Sequence, residues 1–114
     1  MCRAVWVMIV GPTPDANKAL RRAAGPDAQV VAMATDADEA LSFLSSSPPD
    51  VIVLSSDLED ATTLAASIRS ASPKTAIVWV GAGQPEQAHA WVEEAGEALE
   101  GAITRGLLAA RAAK

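Results

Sequence analysis

The stretch VVAMATDADEALSFLSSSPPDVIVL, Val30 to Leu54, decides the fold. It opens on an apolar run that ends in Ala32-Met33-Ala34, as a strand would. Thr35 or Asp36 then suits a helix cap, because Asp38 or Glu39 follows three residues later. Ala37, Ala40, Leu41 and Leu44 recur at helical spacing and give that helix one apolar face. Ser45 to Pro49 ends it. Val51-Ile52-Val53-Leu54 is continuously apolar, the pattern of a strand buried on both faces. The segment therefore reads strand, helix, strand, with the two strands parallel.

The same alternation extends in both directions. Ala4 to Val10 is an apolar run of strand character, broken by Gly11-Pro12-Thr13-Pro14. A helix is predicted from Asp15 to Ala24 on the spacing of Ala16, Ala19, Leu20 and Ala23, ended by Gly25-Pro26. Gln29 to Ala34 is the second strand. Beyond Ser55-Ser56-Asp57, a third helix carries Ala61, Leu64, Ala65 and Ile68, closed by Pro73. Ala76 to Val80 is a fourth strand and Gly81-Ala82-Gly83 its loop. Pro85 suits the first turn of a fourth helix with Ala88, Trp91, Val92 and Ala95 on its apolar face. Leu99 to Thr104 is expected as a weaker fifth strand, and Leu107 to Lys114 as a short last helix. Five such units imply one α/β domain over residues 1–114, a parallel sheet wound on both faces. Sites in such folds lie at the carboxyl ends of the strands, here the loops after Val10, Leu54, Val80 and Thr104.

Composition narrows the function. The chain has 114 residues, half of them hydrophobic, enough for one core. No apolar run reaches the roughly 20 residues of a membrane span, and the expectation is a cytoplasmic protein without a membrane partner. One cysteine, Cys2, and one histidine, His89, exclude an internal disulfide and any multi-His/Cys zinc centre. A net charge of −5 argues against nucleic acid as a partner of this domain. Arg21-Arg22, an adjacent basic pair, reads as a solvated helix face.

The Val30–Leu54 segment resembles the receiver domains of bacterial response regulators, through its acidic cap, the Glu39-Ala40-Leu41 helix and the Pro49-Asp50 dipeptide before the third strand. Pro14 also falls where that family's first loop ends in proline. The resemblance implies a doubly wound, flavodoxin-like sheet of order 2-1-3-4-5 and a role in two-component signal transduction. It also implies a phosphorylation site: an acidic pair after the first strand for Mg2+, an aspartate after the third, Thr or Ser after the fourth and Lys after the fifth. This chain departs at those positions, with Gly11 and Pro12, Ser55, Gly81 and Arg105 in their places. Ala102 stands where an aromatic residue is frequent. Without carboxylates little holds a hard cation, and a serine cannot form an acyl phosphate. The expectation is thus an atypical receiver, or pseudo-receiver, that signals by contact with a protein partner or a second copy, with no enzyme activity, cofactor or metal. Its parentage resembles receivers that precede the ATPase of pilus-assembly and septum-site localisation proteins, so a carboxyl-terminal output domain is expected. The short last helix supports that.

Other readings are weaker. Asp57 is a candidate displaced phosphoacceptor, but two strand residues carry it about 6.6 Å past Ser55. With Glu59 and Asp60 it also reads as an acidic helix start. Gly11 to Asp15 lacks a glycine-rich phosphate loop and holds two prolines, which disfavours flavin mononucleotide. The absence of a histidine in that loop disfavours cobalamin. Ser55 with His89 makes a poor catalytic pair, since His89 is expected on the surface of the fourth helix. Trp6, Trp79 and Trp91 read as core or interface; the pairing face that the resemblance implies would include Trp91, with Glu94 and Leu108, where Trp91 is not core.

Overall fold

A computed structural model of the chain describes residues 5–24, 28–46, 48–72, 75–81, 88–92 and 98–112. Five strands, β1 (Val5–Val10), β2 (Ala28–Ala34), β3 (Val51–Ser55), β4 (Ala76–Val80) and β5 (Ala90–Val92), form one parallel sheet of order β2-β1-β3-β4-β5. Four helices, α1 (Pro14–Ala23), α2 (Ala37–Ser46), α3 (Ala61–Ala71) and α4 (Ala98–Ala112), cover it. The fold class and strand order expected from the sequence are those observed.

Successive strand residues point to opposite faces, so the apolar runs serve two cores. Val7, Ile9, Val51, Val53 and Val78 face Leu20 of α1 and Leu99, Ala102 and Ile103 of α4. Met8, Ile52, Leu54, Ile77 and Trp79 face Leu44 of α2 and Leu64, Ala65 and Ile68 of α3. Thr13 caps α1 by accepting the Ala16 N–H at 3.1 Å, with Pro14 in the first turn. Asp36 accepts the Glu39 N–H at 2.8 Å while Glu39 Oε1 accepts the Thr35 N–H at 3.0 Å, the reciprocal exchange of a capping box.

Each of the last three strands is entered through a side chain bonded to backbone in, or just before, an adjacent strand. Asp50, before β3, accepts the Trp6 N–H at 3.1 Å. Thr75, before β4, donates to the Pro49 carbonyl at 3.0 Å. His89, before β5, accepts the Ile77 N–H on Nδ1 at 2.9 Å.

Two expectations need correction. Ala90–Val92 is strand β5, paired Val78↔Ala90, Trp79↔Trp91 and Val80↔Val92, where the fourth helix was expected. Three residues are too few for a period, and Ala88, Trp91, Val92 and Ala95 fit a helical stripe equally well. Residues 99–104, expected as a strand, belong to α4, which runs on to Ala112 and is not short. Leu99, Ala102, Ile103 and Gly106 recur at i, i+3, i+4 and i+7 and are buried together. At Gly106 a β-carbon would come within 3.2 Å of Val78 Cγ2, so glycine lets α4 approach β4 closely. The expected fourth-helix start at Pro85 lies outside the described residues.

Candidate functional site

The carboxyl ends of β1, β3 and β4 bring together Gly11, Pro12, Ser55, Ser56 and Gly81. Sheet hydrogen bonding continues past the strand ends and ties these loops. Gly11 N–H donates to Ala34 O at 3.1 Å, Ser56 N–H to Val80 O at 2.8 Å and Gly81 N–H to Val92 O at 2.8 Å. Ser55 is 7% exposed, and its Oγ accepts the Asp57 N–H at 3.2 Å. Its hydroxyl is thus bound within its own turn.

Neighbours occupy the space that larger residues would need. Gly81 has φ of 129°, a conformation that glycine adopts readily and other residues do not. A β-carbon there would overlap the Ser56 hydroxyl and come within 2.7 Å of Ser56 Cβ. At Gly11 a β-carbon would overlap Oδ1 of Asn17. Asn17 is 2% exposed and donates through Nδ2 to Ala34 O at 3.1 Å, while its Oδ1 is buried with no hydrogen-bond partner among the described residues. The sequence reading named Gly11, Ser55-Ser56 and Gly81 as loop positions but missed Asn17 and the filling role of Ser56, because no local pattern marks a side chain that fills another residue's place.

Arg105 does not join them. It is exposed on α4, and its neighbour Gly106 packs against Ala76, Val78 and Ala90, toward the amino ends of β4 and β5. The assignment of Arg105 to a loop after β5 is corrected by the helix over residues 98–112. The sequence places Glu93, not a cation, directly after β5. Ala102, likewise, is buried in α4 beneath the sheet.

Asp57 opens onto a cleft of about 530 Å³ beside these loops, lined by Pro12 and by residues 35–38 and 57–60. Its walls carry Asp36, Asp38, Asp57, Glu59 and Asp60. Asp60 precedes α3 with φ of 60° and makes no side-chain cap bond. Among the described residues, no group of three or more His, Cys, Asp or Glu is arranged to hold a metal ion.

His89 is not the surface helix residue expected. It sits at the start of β5, its Nε2 3.1 Å from Arg69 Nη1 of α3. Burial, and then the Arg69 charge, lowers its pKa below the usual histidine value. It lies at the amino end of the sheet, remote from Ser55. Trp91, 37% exposed, pairs in register with Trp79 on the face opposite α4. Leu108, 61% exposed, is on α4, and Glu94 lies outside the described residues.

No protein-family model and no curated protein sequence matches the chain. Solved structures do match in fold. The receiver domain of NtrX from Brucella abortus is 20% identical with a TM-score of 0.74, over 90% of this chain and 98% of that one. The REC domain of AraT, a response regulator from Geobacillus stearothermophilus, is 18% identical with a TM-score of 0.76, over 92% and 94%. A structure described as adenylate cyclase from Rhodopirellula baltica is 17% identical with a TM-score of 0.80, over 96% and 91%. Against a longer NtrX structure the chain spans only 28% of that protein. The chain has the fold of response-regulator receiver domains. Among the described residues no helix is long and apolar enough to cross a membrane.

Proposed function

We propose that this chain is an atypical receiver domain, acting in the cytoplasm through protein contacts rather than by aspartyl phosphorylation. The observation that carries this reading is the Ser56 hydroxyl in the space of a side chain at Gly81. The position that offers Thr or Ser to a phosphoryl group in the resembled family is filled from the next loop. Gly11 is filled in the same way by Asn17, and Ser55 supplies no carboxylate. Partner binding then takes the place of phosphate as the input, with the output passed to another domain or protein.

The test is incubation with acetyl phosphate and Mg2+, followed by intact mass. No gain of about 80 Da, the approximate mass of a phosphoryl group, is expected. Asp57 is the residue to watch, since it is exposed on the acidic cleft. A stoichiometric, base-labile adduct lost in Asp57→Asn would overturn the proposal and make Asp57 the phosphoacceptor.

A further inference from the structure

The two edges of the sheet are protected unequally. Among the described residues β5 covers three, Ala90–Val92, a short edge. β2 is seven residues long, Ala28–Ala34, and contains neither a charged residue nor a proline. Its outer side leaves alternate backbone N–H and C=O groups unpaired by the sheet. Val31 sits at a register shift against β1, between the pairs Val7↔Val30 and Met8↔Ala32, and is 44% exposed. Met33 is 39% exposed. Charged residues, the usual guard of such an edge, lie only beyond its ends.

Those flanking charges are arranged with opposite sign. At the amino end of β2, the last turn of α1 presents Arg21 and Arg22, both exposed. At the carboxyl end stand Asp36, Asp38 and Glu39 at the start of α2, all exposed. Asp15, in the first turn of α1, adds a further exposed acid at that end.

From this arrangement we infer that the β2 edge pairs with the β2 edge of a second copy, antiparallel about a two-fold axis. A two-fold contact sets one patch against itself. Antiparallel pairing of β2 with its copy centres on Val31 and sets the basic end of each chain against the acidic end of the other. The two α1 helices then lie on the same face of a continuous ten-stranded sheet, with Arg21 and Arg22 of each copy toward Asp15 of the other. Parallel pairing would instead oppose like charges. The inference does not depend on whether the domain accepts phosphate.

Sedimentation of the full chain from about 1 μM to about 1 mM should show a monomer–dimer equilibrium. It should weaken in about 0.5 M salt, where the screening length falls to a few ångströms. Val31→Lys puts like charges across the axis and should weaken association about tenfold or more, with circular dichroism unchanged. A second arm does not rely on that variant. Arg21→Glu with Arg22→Glu should abolish self-association, and mixing it with Asp15→Lys, Asp36→Lys, Asp38→Lys protein should restore a heterodimer. A monomer throughout the concentration range would overturn the inference. So would a dimer indifferent to the charge variants and lost in Trp91→Ala, which would place the contact at β5.

Discussion

The two ends of this sheet are built by opposite means. At the amino end, side chains reach out: Asp50, Thr75 and His89 each stand just before a strand and bond backbone in, or just before, an adjacent strand. At the carboxyl end, side chains are withdrawn. Gly11 and Gly81 contribute none, Ser55 turns its hydroxyl onto its own loop, and Asn17 and Ser56 occupy the vacated space. Folds of this class place ligands at the carboxyl end. Here the first positions after β1, β3 and β4 are closed by their neighbours, and the open space at that end is the acidic cleft beside them.

The sharpest way to break the comparison is to place a hydroxyl-bearing side chain at Gly81. Gly81→Thr must adopt φ near 129° and displace Ser56. The backbone strain and overpacking together should cost roughly 3 kcal/mol or more, read from urea unfolding. A variant of wild-type stability would show that the carboxyl end is loosely packed around Gly81.

At the other end, Thr75, 2% exposed, loses its hydroxyl in Thr75→Val, which leaves the Pro49 carbonyl without that donor. Ser72 Oγ, 2.7 Å from Thr75 Oγ1, also loses its partner. The expected loss is about 1–3 kcal/mol. A change of only a few tenths would mean that the side-chain ties at the amino end are dispensable.

The smallest expected effect is one of pH. His89 Nδ1 accepts the Ile77 N–H and its Nε2 faces the Arg69 guanidinium, so protonation is opposed on both sides of the ring. Its folded-state pKa is lowered, by burial first and Arg69 second. Between that value and the ordinary histidine range the unfolded chain binds more protons. Stability should therefore fall as pH drops below about 6.5, the unperturbed histidine value, and level off below the folded-state pKa. Melting temperatures of wild type and His89→Gln, compared between about pH 7.5 and 5.5, should converge as pH falls. Parallel profiles would remove His89 from the ties that hold β5.

Much of the molecule was legible from local pattern. The apolar runs 5–10, 51–54 and 76–80 bury residues on both faces of the sheet, and the stripes Ala37-Ala40-Leu41-Leu44 and Ala61-Leu64-Ala65-Ile68 pack one helix side each. Each of those segments declares its own burial, because the period of its side chains is the period of the element. The small residues at Gly11, Ser55 and Gly81 were readable for the same reason: they directly follow runs whose ends are unambiguous.

What tertiary structure alone decided are the features that depend on a partner far away in the chain. Ala90–Val92 is a strand because β4 offers it a ladder, not because three residues carry a period. Once that strand is placed, residues 98–112 become a helix packed on β4 and β5, and Arg105 moves from the expected site to α4. The filling of Gly81 by Ser56 and of Gly11 by Asn17 is of the same kind. Periodicity in a sequence reports which face of a segment leaves water, whereas close approach between distant segments is set by packing and is written in neither segment by itself.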